Sequence, residues 1–394
     1  MKKNINKNNP FHDPNLTKRH AKAKLFQGFA LGSLVVSLLF LAFFLFDMLS
    51  KGLPAFQQTY IQVEVSYNEK SQKSYRKAID RKYSRLTSRA EIRKIPMLMK
   101  ENPSLMNTKE FLWILADDQV DMYMKGKYYN IKSKDLKTLR ELISQGKVEK
   151  RFNTSFFTKG DSLIPEQSGL LSAMIGTIFT LIVTMAVAFP IGVATAVYLE
   201  EFANPDSKWS NLIEVNINNL AAIPSILFGL LGLAIFINLF GMPRSSAIVG
   251  GLTLALMTLP IIIVSARAAL RSVPANIRQA AYGLGLTKVQ VVRDHVLPLA
   301  FPGIMTGSII GLAQAMGETA PLIIVGMIAF IPDAPSSIFD ASTVMPAQIF
   351  TWAGRPELAY IERTAAGIIV LLTVLISLNA LAVYLRKKFE VKWQ

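Results

Sequence analysis

The sequence predicts an all-α polytopic membrane protein of six transmembrane helices, with a small α+β domain inserted after the first. Three observations predict it. The chain has 394 residues, of which 51% are hydrophobic. That apolar content is gathered into six uninterrupted runs, near 28–49, 170–198, 212–240, 246–266, 300–328 and 364–385. A single long polar block, 51–168, separates the first run from the others. About 20 apolar residues cross the hydrocarbon core as a helix. Lipid leaves only helices and closed barrels as ways to satisfy the backbone, and these runs are too continuous for barrel strands.

The first run, Phe29 to Leu49, is longer than the apolar region of a signal peptide. No small-residue cleavage site follows it in Ser50-Lys51-Gly52-Leu53-Pro54, so it reads as a retained signal-anchor. The basic content of short flanks sets the orientation. Lys18, Arg19, Lys22 and Lys24 precede the first span, and Arg386, Lys387, Lys388 and Lys392 follow the last. Arg267, Arg271, Arg278, Lys288 and Arg293 lie between the fourth and fifth. The two ends (1–27 and 386–394) and the loop 267–299 are therefore expected in the cytoplasm. The 241–245 turn, the 329–363 loop and the block 51–168 are expected outside.

The outer block carries 23 Lys/Arg against 14 Asp/Glu. This does not oppose the orientation, because long loops translocate largely regardless of charge. Tyr60 to Tyr67 alternates like a strand. Residues 72–94 suggest a very basic helix. Asn107 suits a helix N-cap with Glu110 at N3, ahead of Phe111, Leu112, Ile114 and Leu115. Val148 to Phe157 reads as a second extended segment. The domain is either a spacer over the membrane part or a ligand-binding module.

A net charge of +16 fits a nucleic-acid binder, but basic flanks around six spans account for it. There is no cysteine, hence no disulfide and no thiolate metal site. His12, His20 and His295 are scattered, and no metal-ligand cluster is visible. No Gly-x-x-x-x-Gly-Lys-Ser/Thr loop is present. The expectation is a protein without catalytic residues, metal or bound cofactor of its own.

Between the fourth and fifth runs stands Pro274-Ala-Asn-Ile-Arg-Gln-Ala-Ala-Tyr-Gly-Leu-Gly285, leading on to Leu297-Pro298. Pro274 belongs at or just before a helix start. Ile277, Ala280, Ala281 and Leu284 recur at helical spacing and predict one small apolar face. Gly283 and Gly285 end the helix, and Lys288 to His295 forms a second short amphipathic piece. Small side chains on an exposed helix let another protein approach closely.

This loop resembles the EAA loop of ABC importer permeases: Glu-Ala-Ala, three residues, Gly, nine residues, an aliphatic, one residue, then Leu-Pro. Gln279, Ala280, Ala281, Gly285, Leu297 and Pro298 fall on those positions. Gln279 replaces the usual Glu, and His295 stands where an aliphatic is common. The resemblance covers roughly 170–385 and implies the type I importer permease (MetI-like) fold. It also implies that Pro274, Gln279, Ala280, Ala281, Gly283, Gly285, Leu297 and Pro298 serve a coupling helix docked on a separate cytoplasmic ATPase, which uses the ATP.

In the fifth run Gly303, Gly307, Gly311 and Ala315 form a close-packing stripe. Glu318, seven residues after Gly311, falls on nearly the same helical face. An ionisable residue within a membrane segment is a functional-site candidate. The run Gly317-Glu318-Thr319-Ala320-Pro321-Leu322 resembles a segment of phosphate importer permeases of the PstA type. So do Gln279–Gly285, the exit loop Val344–Ile349, and a last span ending in basic residues. The resemblance implies a second, PstC-like permease, a PstB-like ATPase and an external phosphate-binding protein. Gln314, Gly317, Glu318 and Thr319 become pathway candidates. Gln314 stands where many relatives carry arginine, and Arg267 offers a compensating charge.

Two rival readings stay open: a permease for another oxyanion (molybdate, sulfate or phosphonate), and a membrane-bound sensor using the external domain. The nine residues after Leu385 are expected to leave no room for the signalling module a sensor needs. The acidic stretch 200–211, with Glu200, Glu201 and Asp206, is either a solvated loop or a second ATPase contact.

Overall fold

The computed structural model describes residues 16–204 and 206–389; His12 and Lys392 lie outside them. Among the described residues, five helices are long and apolar enough to cross a membrane, or six if a bent pair counts as one span. The first, α1 (Leu16–Gly52), is apolar on every side and exposed along its length, from Leu25 (63%) to Phe46 (71%). Such a helix needs lipid or another protein around it. Its residues up to Ser50 form one unit, and everything from Lys51 onward forms a second.

The second unit begins with the insertion. Its sheet is antiparallel in the order β2-β1-β3, built from β1 (Gln57–Ser66), β2 (Lys109–Leu115) and β3 (Val148–Phe152). Tyr60 stands opposite Leu115 on one side and Glu149 on the other. The period-two pattern of β1 puts Ile61, Val63 and Val65 in the core. There they meet Val120 of α2 (Asp118–Met124) and Leu139 and Leu142 of α3 (Ser133–Ser144).

Two local expectations are corrected. Residues 72–94 do not form one helix. Short turns at Glu69–Lys73, Tyr75–Lys77 and Arg89–Ile92 replace it. Ile79 bridges to Val65, and the Asp80 carboxylate accepts the Lys82 N–H (3.0 Å) in a turn. Asp favours such a turn over helix, and burial of Ile79, Leu86 and Ile92 fixes the path. Asn107 does not cap a helix. It adopts φ 64° and donates its N–H to Tyr67 O (2.6 Å), turning the chain into β2. Pairing with β1 and burial of Ile114 and Leu115 override the capping pattern. The extended segment expected over 148–157 stops at Phe152, where Asn153 accepts from Phe156 N–H (3.0 Å) and donates to Ala55 O (2.9 Å).

The helical core follows with α4 (Leu171–Val197). The run 212–240 is not one straight span. It divides into α5 (Lys208–Ala221) and α6 (Ser225–Gly232, continuing as wide turns to Leu239), bent by 104°. Pro224 removes an N–H and disfavours helix at Ile223. The polar residues Asn211, Glu214, Asn216, Asn218 and Asn219 suit α5 to a solvated position. Ser225–Leu239 alone measures about 22 Å, short of the ~30 Å core.

Next comes α7 (Ala247–Arg271), two thirds buried. Thr184 of α4 donates to its Gly251 carbonyl (3.1 Å). After the loop helix α8 (Ala275–Gly283), one helix runs from Lys288 to Gly317. It passes Leu297-Pro298 without a break, because a π turn at Val292–Val296 absorbs the missing proline hydrogen bond. The part named α9 (Leu297–Gly317) packs on α7 through its small residues. A Cβ on Gly303 would come within 2.7 Å of the Ala269 Cβ, and one on Gly307 would overlap Ser265.

The run expected over 300–328 therefore ends as helix at Gly317 and resumes only as α10 (Ala320–Ile324). The stretch Val344–Ile349, expected as a loop, leads into the buried helix α11 (Met345–Ala353), whose first N–H is accepted by Thr177 Oγ1 (2.9 Å). The last helix is α12 (Ala359–Phe389).

Candidate functional site

At one end of the bundle, helix α8 is held by its own sequence. Its C-terminus is a Schellman turn: Gly285 donates to Tyr282 O (2.9 Å) and Leu286 to Ala281 O (3.3 Å). Gly285 takes φ 81°, a conformation costly to other residues. Inward, Ile277 and Ala281 pack with Leu270, Val273, Val291 and Val296; Leu297 joins the same cluster. The single apolar face expected from Ile277, Ala280, Ala281 and Leu284 is divided. Ala280 and Leu284 point outward, because a turn of 3.6 residues puts Ala281 rather than Ala280 beneath Ile277. The outer surface shows Gln279, Ala280 and Gly283, with Tyr282 44%, Leu284 81% and Val289 59% exposed. Pro274 and Pro298 are exposed beside it.

Charge fixes this helix to the bundle. Arg278 donates to carbonyls at and just past the end of α7, Leu270 O (2.9 Å) and Val273 O (2.6 Å), and to Glu201 Oε1 (2.7 Å). Arg271 pairs with Glu200 (2.8 Å). Arg267 pairs with Glu200 (3.4 Å) and with Glu214 of α5 (3.2 Å). Of the acidic stretch 200–211, Glu200 and Glu201 are thus paired within the bundle, while Asp206 is exposed. The turn holding Glu200 and Glu201 continues α4 and clamps α7, α5 and α8.

These pairs also correct the expectation for Arg267. Gly303 faces Ala269 and Gly307 faces Ser265, so Arg267 is level with about residue 305. It is roughly 13 Å along the axis from Gln314 and is engaged with two carboxylates.

Glu318 lies at the far end of α9. Gly317 ends the helix, Glu318 is extended (φ −74°, ψ 131°), and Thr319 starts the short α10. The carboxylate therefore leaves the glycine stripe. Pro321 seats against Gly229 of α6, where a Cβ would approach its Cα to 2.7 Å. Gln314 and Gly317 are exposed on one side of α9 with Ile310, while Glu318 and Thr319 are half-buried. Among the described residues no ion pair reaches the Glu318 carboxylate. Pro298 and Gly317 stand near opposite ends of one helix, about 28 Å apart, with Glu318 just beyond. The loop residues and the Glu318 segment are thus two separate sites.

Sequence reasoning missed the polar junction between insertion and bundle. Asp161 accepts from Trp352 Nε1 (2.9 Å), Ser168 Oγ (2.8 Å) and Arg355 (2.8 Å). Lys125 pairs with Asp121 (2.6 Å) and with Glu362 (3.0 Å), which also takes Lys127 (2.8 Å). Arg363 donates to Ser168 O (2.7 Å). Burial pushes the Asp117 carboxyl up to about 8, with neighbouring Asp118 adding to it, and burial raises Glu166 as well. These partners lie up to 237 residues apart, so no local pattern announces them. For Arg278 a signal did exist: a cation one turn after the last carbonyls of an apolar helix.

Residues 188–391 match the family described as binding-protein-dependent transport system inner membrane component. A domain of unknown function (DUF3333) matches residues 13–82 and 71–133. The chain is 30% identical to the phosphate transport system permease protein PstA 1 of Mycobacterium tuberculosis, over 57% of this chain and 73% of that one. It is 33% identical to the probable ABC transporter permease protein YqgI of Bacillus subtilis, over 43% and 56%. With the phosphate transport system permease protein PstC of Haemophilus influenzae it shares 30% identity, over 59% and 82%.

Proposed function

The chain belongs to the family of binding-protein-dependent transport system inner membrane components and is a permease subunit of an ABC importer with the MetI-like fold; from that premise we propose that it carries inorganic phosphate, driven by a separate ATPase chain. The observation that carries the reading is the outer face of α8. Ala280 and Tyr282, with Leu284 and Val289 just after them, are uncovered apolar side chains on and beside a helix fastened to the ends of α4, α5 and α7. A partner gripping that face moves the spans with it. In this reading α8 and both ends of the chain are cytoplasmic, and the insertion faces outward, where a phosphate-binding protein delivers the cargo.

The choice of phosphate is supported by relatives named as phosphate transport permeases and by the Gly317–Leu322 segment. Glu318 and Gln314 line the route, with a carboxylate that can take the proton of monohydrogen phosphate and an amide that can donate to its oxygens. Arg267 is engaged elsewhere, so the fixed positive charge for the anion comes from the second permease, packed on the exposed Ile310–Gln314–Gly317 side of α9. Labelled phosphate uptake in cells carrying the complete importer, with sulfate and molybdate as competitors, tests this. We expect neither competitor to slow uptake, and a Glu318→Gln variant to assemble normally yet fail to transport. Equal competition by sulfate or molybdate, or normal transport by Glu318→Gln, overturns the assignment.

A further inference from the structure

The insertion contains a cleft of about 750 Å³ that the transport reading leaves unused. Six cationic side chains line it: Lys70, Arg76, Lys77, Arg81, Arg85 and Arg89. They come from the short turns between β1 and β2, and all but Lys70 from the stretch 72–94 that was expected to be one helix. Had it been a helix, these cations would have spread around a cylinder. Instead, burial of Ile79 and Ile92 folds the segment back on itself, and the charges converge on a single concavity.

Their counter-charges are few. Arg85 reaches Asp135 at 3.7 Å while remaining 55% exposed. Among the described residues, Lys70, Lys77, Arg81 and Arg89 have no carboxylate partner. The half-buried Tyr75 lies on the wall between two guanidinium groups, Arg76 and Arg93, each 5.7 Å from the ring centre. Hydrogen bonds from Arg93 and Arg76 hold its phenol below the ordinary value. Like charges crowded on a concave wall repel one another, and a bound polyanion relieves that repulsion.

We propose that this cleft binds a small anion bearing several phosphate groups, either free in solution or as the headgroup of a phosphorylated lipid. Its size is that of a small-molecule pocket, in the range of about 300–1,000 Å³, and far exceeds one tetrahedral anion. Its concavity does not suit the flat contact of a protein partner. Arginine supplies forked donors matched to phosphate oxygens.

Binding of tripolyphosphate to the full chain in phosphatidylcholine nanodiscs, measured by calorimetry, tests the proposal. We expect saturable binding, tighter than for orthophosphate or sulfate. The Arg81→Glu/Arg89→Glu double variant is expected to lose about tenfold or more in affinity, since it removes two forked donors and reverses their charge. Arg81→Gln/Arg89→Gln, milder should the reversal disturb folding, is expected to weaken binding in the same direction. Lys147→Glu/Lys150→Glu changes the charge equally at β3, which gives the cleft no lining residue, and is expected to leave affinity unchanged. Competition by diphosphorylated lipid A assigns the occupant to the lipid source, and its failure to compete assigns it to a soluble one. Absence of saturable binding, sulfate binding as tight as tripolyphosphate, or an equal loss in the Lys147/Lys150 variant overturns the proposal.

Discussion

The two ends of the helical bundle fasten their parts with the same chemistry and leave opposite surfaces behind. At the α8 end, Arg267, Arg271 and Arg278 join Glu200, Glu201 and Glu214 across four helices, yet Leu284 stays 81% exposed. At the insertion end, Asp161, Arg355, Lys125 and Glu362 join the insertion to α11 and α12, and the aromatic residues around them are closed over. Trp352 is 1% exposed and Tyr360 and Phe156 are fully buried. An ion-pair network therefore does not distinguish a permanent junction from a docking surface. The uncovered apolar side chain does.

Substitutions at the two ends can break or sharpen that contrast. The largest effect is expected at the closed end. Asp161→Ala leaves Arg355 and the Trp352 N–H without their buried acceptor, and it should lower unfolding free energy by about 3–5 kcal/mol. Denaturant titration of the solubilised chain measures this, and a loss below ~1 kcal/mol would mean the junction is not welded by that carboxylate. At the open end, Glu201 is 8% exposed and Arg278 21%, so solvent screens the pair more. Arg278→Ala should cost about 2 kcal/mol, seen as faster hydrogen exchange over 274–286 rather than global unfolding.

The closed end also carries a pH signature. The Asp117 carboxyl rises from the ordinary 3.8 to about 8, so the folded chain holds a proton that the unfolded chain has released. Stability is expected to fall as pH rises through that interval, with the loss complete above it. Asp117→Asn keeps an acceptor for the Gln119 N–H. It should leave the melting temperature unchanged near pH ~4 and raise it increasingly toward pH ~8; an equal shift at all pH values would refute the assignment. The smallest stability change belongs to α8. Gly285→Ala, forced to φ 81°, should cost about 1 kcal/mol, measured by the same titration.

Much of the bundle was legible because runs of about 20 apolar residues announce themselves regardless of phase. What escaped was where those runs bend. Pro224 sits inside a hydrophobic stretch that composition alone joins, and the chain at Glu318 leaves its helix although the sequence there stays apolar on both sides. In the insertion, β1 was readable from strict alternation. Asn107 misled, because its capping pattern lost to pairing with a strand 40 residues earlier. The α8 loop was found from fixed spacing, but its inner and outer faces were not. Ala280 and Ala281 are neighbours in sequence, and only the position of α7 decides which one is covered. The carboxylate that braces α8, Glu201, comes from 77 residues before Arg278, a distance no local periodicity spans.

The contrast bears on the proposal that α8 is a surface kept open for a separate ATPase chain. The chain has no cysteine, so Ala280→Cys introduces a unique thiol on that outer face, and Lys100→Cys places one on the insertion as its counterpart. Thiol cross-linking in membranes containing the assembled importer reads both positions directly. Cross-linking of Ala280→Cys to the ATPase chain, with none from Lys100→Cys, is the result expected. An Ala280→Cys protein that never reaches the ATPase, while the importer still assembles and transports, would contradict it.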